Sequence, residues 1–178
     1  QERRQRLKAL MPEKSLAIVA AAAEVIRNRD AEYPFRQSSD FWYLTGFTEP
    51  DAVLVIGPGQ PDRLFVRPKH PEQEVWTGRR MGPDHVKHRL GIDQGYPLEA
   101  LDTELKTLLA EVAWVEYPFG CQKSTAIVDQ AIKAKGLRSR RSDLLSHRAD
   151  LSRLLSQARL IKSRQEIDIM KEAGRISA

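Results

Sequence analysis

Two histidines three residues apart, His85 and His88, are the first residues whose spacing points to chemistry. On one turn of helix both imidazoles could face a single ion, but a metal site needs a third and a fourth ligand. No His-Glu-x-x-His pattern and no nearby Cys or carboxylate at ligand spacing completes the set. Lys87 and Arg89 surround the pair, which reads as a solvent-facing surface, and His70 and His147 are isolated. The single cysteine, Cys121, follows Phe119-Gly120 without a sequence neighbour that would turn its thiol into a thiolate. Gly57-Pro58-Gly59 is no dinucleotide fingerprint, because Asp62 stands where the third glycine belongs and proline removes an amide. There is no Walker A sequence and no Gly-x-Ser-x-Gly elbow. The chain holds no self-contained active site.

Two stretches remain. Lys133, Lys135, Arg138, Arg140 and Arg141 place five cations in nine residues, and Arg79-Arg80 follow Trp76. Cations beside aromatics can hold a phosphate backbone and stack bases, so nucleic-acid binding through Lys133–Arg141 is one reading. Asp129 and Asp143 flank the cluster and no RNP, KH or zinc-finger pattern accompanies it, which favours a solvated basic face. The second stretch, Glu32–Asp51, crowds Tyr33, Phe35, Phe41, Trp42, Tyr43 and Phe47 among Arg36, Asp40, Glu49 and Asp51. We expect those aromatics to be mostly buried and the charges to need partners, either in a packed elbow or at an interdomain or intersubunit surface.

The elements that must position these residues follow from hydrophobic periodicity. Glu2–Met11 reads as a short helix ended by Pro12, and Leu16–Ala23 as a strand buried on both faces. Arg27–Asp30 reads as a polar turn. Ser38–Leu44 fits a capped helical turn stopped by Gly46. Ala52–Ile56 and Arg63–Val66, separated by Gly57–Asp62, form a hairpin. Pro71–Thr77, Asp84–Leu90, Leu98–Val112 and Thr125–Lys135 are helices, with a strand at Ala113–Tyr117. Ser163-Arg164-Gln165-Glu166 is a capping box that opens a last helix. That helix has no stop signal before Ala178, and Gln1 is not an initiator methionine, so the chain reads as cut from a longer protein. Strands alternating with helices give an α/β fold.

Composition agrees. The 178 residues are 41% hydrophobic and 30% charged, and 29 Lys and Arg against 24 Asp and Glu give a net charge of +5. That length favours one main domain with a proper core. The longest apolar run, Leu16–Ala23, has eight residues, against the ~20 needed to cross a bilayer. No secretory signal opens the sequence. One cysteine makes no internal disulfide, and we expect a cytoplasmic protein.

The segment Tyr33–Val55, YPFRQSSDFWYLTGFTEPDAVLV, resembles the N-terminal domain of Xaa-Pro aminopeptidase (aminopeptidase P), of the creatinase/prolidase N-terminal domain family. Glu74–Arg80, EVWTGRR, is similar to a second signature of that domain, and Arg159–Ile167, RLIKSRQEI, to the junction with the catalytic domain. The resemblance implies a mixed, roughly six-stranded sheet flanked by helices. It divides the chain into an N-terminal domain at 1–162 and, at 163–178, the start of the helix leading into a C-terminal pita-bread domain absent from this sequence.

The parent enzyme implied is a metallopeptidase that releases the N-terminal residue from peptides with proline second. Its two divalent ions, usually manganese, would sit in the C-terminal domain, so no metal ligand and no catalytic residue is assigned here, and this chain alone should be inactive and bind neither ion. The resemblance gives the domain a role in shaping the active-site cleft and building a homo-oligomer. Trp76 resembles a tryptophan that reaches a neighbouring subunit's substrate pocket, the alternative being a buried core residue. Asp30 resembles an acidic residue near the pocket mouth, and Arg138, with Arg140 as its near alternative, an arginine there. The partners implied are its own catalytic domain, further copies of itself and the peptide substrate, with no membrane and no nucleic acid. Two rival readings stay open: a stand-alone basic domain binding nucleic acid, and a family domain retained as a protein-interaction module.

Overall fold

A computed structural model of the chain describes residues 1–136 and 147–177. Its centre is the apolar run at the front of the sequence. Strand β1 (Ser15–Ala20) is buried along its whole length. It pairs antiparallel with β4 (Val53–Ile56) on one side and parallel with β7 (Trp114–Tyr117) on the other. Beyond β4 lie β5 (Arg63–Val66), antiparallel, and β6 (Gln94–Pro97), parallel to β5. Beyond β7 lies β8 (His147–Asp150), parallel. The six-stranded order β6-β5-β4-β1-β7-β8 is the mixed sheet expected.

The two-residue period of a strand sorts its side chains into two cores. Ala17 and Val19 of β1, Leu54 and Ile56 of β4, and Leu64 and Val66 of β5 face one side. There they meet Leu7 of α1 (Glu2–Leu10), Phe41 and Leu44 of α2 (Ser39–Thr45), and Leu151 and Leu155 of a helix running Leu151–Leu160. Leu16, Ile18, Val53, Val55 and Phe65 face the other side, against Leu101, Leu105 and Leu108 of a helix at Leu101–Leu108 and Val128 and Ala131 of one at Gln122–Gly136. The result is three layers, helix on sheet on helix.

Several elements differ from the sequence reading. Arg27–Asp30 is not a bare turn: Ile26–Asn28 (β2) and Ala31–Glu32 (β3) form a two-stranded ribbon, exposed throughout. The Leu98–Val112 helix is a 3₁₀ turn at Leu98–Ala100 followed by the Leu101–Leu108 helix. Strands β6 and β8 and the Leu151–Leu160 helix were not anticipated. The remaining helices, in chain order, are α3 (Pro71–Thr77) and α4 (Val86–Leu90), which precede α5 (Leu101–Leu108), α6 (Gln122–Gly136) and α7 (Leu151–Leu160), and finally α8 (Arg164–Ser177). The hairpin of β4 and β5, the α2 stop at Gly46 and the capping box of α8 stand as read, the last with Glu166 N–H donating to Ser163 Oγ and Ser163 N–H to Glu166 Oε2.

Candidate functional site

The aromatic elbow is half of what was expected. Phe41, Tyr43 and Phe47 are buried, Phe41 and Phe47 edge to face at 6.4 Å, while Tyr33 and Trp42 are exposed. Its charges do find partners: Asp40 pairs with Arg159 at 2.8 Å and Asp51 with Lys123 at 2.6 Å. Gln37 is a hub that sequence reasoning missed. Its Oε1 accepts from Ala22 N–H and Ser38 N–H, and its Nε2 donates to the carbonyls of Phe47 and Glu49. It locks the end of β1 to the elbow. Nothing in its sequence neighbourhood marks it, because its partners are backbone groups.

Glu49 extends that lock to the loop after α3, where its Oε1 accepts from Met81 N–H at 2.7 Å. Helix α3 begins with Pro71 at its first position, where a missing N–H costs nothing, and Glu74 caps the His70 N–H. Arg80 reaches back to Gln73 Oε1 at 3.0 Å and to the Pro68 carbonyl. Between these groups lies a cavity of about 320 Å³ with Glu49, Lys69, Arg79, Arg80, His85 and Arg89 on its walls. Four permanent cations against one carboxylate make it attractive to an anionic group. Glu49 Oε2 and Arg80 Nε are both buried there without a hydrogen-bond partner among the described residues.

No side chain of α3 is buried. Trp76 is 88% exposed and Val75 beside it 78%, so Trp76 is not the core tryptophan that was its alternative reading. A helix capped by Glu74 and tied to Arg80 through Gln73 thus holds a bare indole out to solvent. Asp30 is exposed in the turn of the β2–β3 ribbon, next to Arg29 in the left-handed region, and Tyr33 N–H closes the ribbon onto the Val25 carbonyl. No hydrogen bond, ion pair or shared cavity joins Asp30 to Trp76 among the described residues. Arg138, Arg140 and Arg141 lie outside the described residues; of the basic run, Lys133 is exposed on α6.

The other candidates serve structure. His85 and His88 are exposed, and among the described residues no group of three or more His, Cys, Asp or Glu is close enough to hold a metal ion. The described residues do not fit a dinuclear centre. Cys121 is half-buried at the start of α6, where its carbonyl accepts from Thr125 N–H and Oγ1. No helix is long and apolar enough to cross a membrane among the described residues.

Helix α8 buries no residue and leaves Ile167, Ile169, Met170 and Ile176 exposed, beside Leu160 and Ile161. It is tied to the domain by the Arg3–Glu166 pair at 2.8 Å.

Comparison with known proteins places these features. The family described as aminopeptidase P, N-terminal domain, matches residues 1–115. A Xaa-Pro aminopeptidase of Escherichia coli is 35% identical over all of this chain, which spans 42% of that relative's length. The solved low-pH form of E. coli aminopeptidase P superposes with a TM-score of 0.92 at 36% identity, over 99% of this chain and 41% of its own. A zinc-substituted E. coli aminopeptidase P in complex with product gives 0.91 at 37% identity, again over 99% of this chain and 41% of its own. With the mixed sheet and the match across its first 115 residues, this chain belongs to the aminopeptidase P N-terminal domain family.

Proposed function

We propose that the chain is the non-catalytic N-terminal domain of a Xaa-Pro aminopeptidase, a dinuclear metallopeptidase that frees the residue preceding proline at a peptide's N-terminus. The observation that carries this is the length relation: similarity covers the whole chain yet only 42% of a relative with that activity. The two divalent ions, manganese in our reading, belong to the remaining length of such a protein. A bound pair would polarise the scissile carbonyl and supply hydroxide. In this reading the protein works in the cytoplasm, and 163–178 is the start of the helix leading into the catalytic domain.

The domain's own contribution is shape. The exposed apolar face of α8 is where the catalytic domain packs. Trp76 projects from α3 to meet the proline side of a substrate in a neighbouring copy, a contact in which an apolar ring gains ~0.5–1.5 kcal/mol beyond area burial. Asp30 on its ribbon and Arg138 bring charge to the pocket mouth, and the domain contributes to the homo-oligomer.

The test compares residues 1–178 with the full-length gene product on an Xaa-Pro peptide, with manganese and with chelator. Cleavage by the full-length protein alone, lost on chelation, is expected. Cleavage by the purified chain that chelator abolishes would overturn the reading. In the full-length protein, Trp76→Ala should lower kcat/KM about tenfold, the weight of one stacked ring.

A further inference from the structure

Glu116 sits in the middle of β7 and is 2% exposed, on the sheet face that packs α1 and α7. Its neighbours in register are Ala17 on β1 and Ala149 on β8. The single methyl of Ala149 beside a long carboxylate leaves the layer above it unfilled. A cavity of about 450 Å³ opens there, with Leu10, Pro12, Trp114 and Leu154 on its walls and Arg153 and Gln157 from α7 at its edge. Glu116 Oε1 is buried and meets no hydrogen-bond partner among the described residues. A buried carboxyl oxygen left unpaired costs free energy that a donor entering the cavity would recover.

The chemistry of the walls selects the donor. An anion would face the Glu116 carboxylate. A metal ion needs several oxygens, and the neighbouring Asp150 Oδ1 already accepts from Ser152 N–H and Phe119 N–H. A purely apolar molecule would leave Oε1 unpaired. An ammonium brings three donors, and its carbon body suits Leu10, Leu154 and the indole of Trp114.

We propose that this cavity binds a compact organic ammonium, with its N–H groups on the Glu116 carboxylate and its apolar body against Trp114, Leu10 and Leu154. The site is independent of the peptidase reading. The charged and titratable groups that face Glu116 are Asp150 at the end of β8 and Arg153 on α7, with His147 stacked on Trp114 at 4.1 Å. Leu10 and Pro12, which close the α1 side, carry no charge. Burial lifts the Glu116 pKa above its ordinary value, so ammonium affinity rises with pH through that raised value and then levels off.

The test titrates residues 1–178 with benzylamine and with benzyl alcohol, which matches it in shape without the charge. Binding is followed at the Trp114 indole N–H by NMR, assigned through Trp114→Phe. Saturable benzylamine binding at Trp114 is expected, weakened at least about tenfold by Glu116→Gln, which keeps the shape, and by Ala149→Val, which fills the cavity and keeps the carboxylate. No saturable shift, equal binding to Glu116→Gln, or equal binding of benzyl alcohol would each overturn the proposal. The rest of the amide spectrum reports whether each variant is folded.

Discussion

Arg4 Nε donates to Asp62 Oδ2 across 2.6 Å, with the two side chains 1% and 2% exposed. The same guanidinium donates to the carbonyls of Leu44 and Gly91, and Lys8 pairs with the other carboxylate oxygen. One planar fork therefore fastens α1 to the start of β5, the end of α2 and the end of α4. Arg4→Met removes the fork and leaves Asp62 buried, so a loss of about 3–5 kcal/mol is expected in urea unfolding. Arg4→Lys should recover little of it, because an ammonium cannot serve three directions with guanidinium geometry. A lysine variant as stable as the parent would show that charge alone holds the junction.

Gly95 is a second point where one atom decides. A Cβ built there would stand 2.2 Å from the Pro83 carbonyl oxygen and 2.8 Å from Val86 Cβ. Gly95→Ala must push β6 away from the 3₁₀ turn at Pro83–His85 that it packs against. We expect a loss of about 1–3 kcal/mol, typical of overpacking. Thermal melts that coincide with the parent's would refute the clash.

Two glutamates should give stability profiles of opposite sign. The Ser163 backbone N–H, then its hydroxyl and Arg3, hold Glu166 below its ordinary value near 4.5. Its contribution is present above that value and lost as pH falls through the depressed one. Burial raises Glu116 above the same ordinary value, so its contribution is present below 4.5 and lost as pH rises through the raised one. Melts across pH should therefore show Glu116→Gln stabilising the chain at neutral pH and not in acid. Glu166→Gln should cost stability at neutral pH and not in acid. Parallel profiles for the two variants would contradict both environments.

Exposure predicts how two aromatic truncations differ. Trp76→Ala should change the stability of the isolated chain by no more than about 0.5 kcal/mol, since the indole is 88% exposed. Phe41→Ala, at a fully buried ring, should cost about 3–5 kcal/mol. Equal losses in chemical denaturation would mean that Trp76 is packed in solution.

What could be read from sequence was what burial writes into it. The run at Leu16–Ala23 announced a two-sided strand, and the Leu101, Leu105 and Leu108 stripe a helix, because each needs apolar side chains at a fixed period. The β2–β3 ribbon went unread because none of its residues is buried, so no periodicity constrains them. Helix α7 did carry a stripe, Leu151, Leu155 and Ala158, that the reading passed over. The elbow's aromatic crowding suggested burial for most, but Trp42, between the buried Phe41 and Tyr43 on α2, is exposed. Glu116 was invisible for a different reason: its cavity is lined by Leu10, Ala149 and Leu154, which lie far from it in the chain and meet it only in the fold.

The position of β1 has a consequence for how the chain is made. Strand β1, in the middle of the sheet, leaves the ribosome about a hundred residues ahead of its parallel partner β7. Until then a largely apolar strand has one open edge, a template for pairing with another nascent chain. Synthesis is therefore the stage at which this domain is most exposed to aggregation, and slowing translation between β4 and β7 should lower soluble yield more than slowing it after β7.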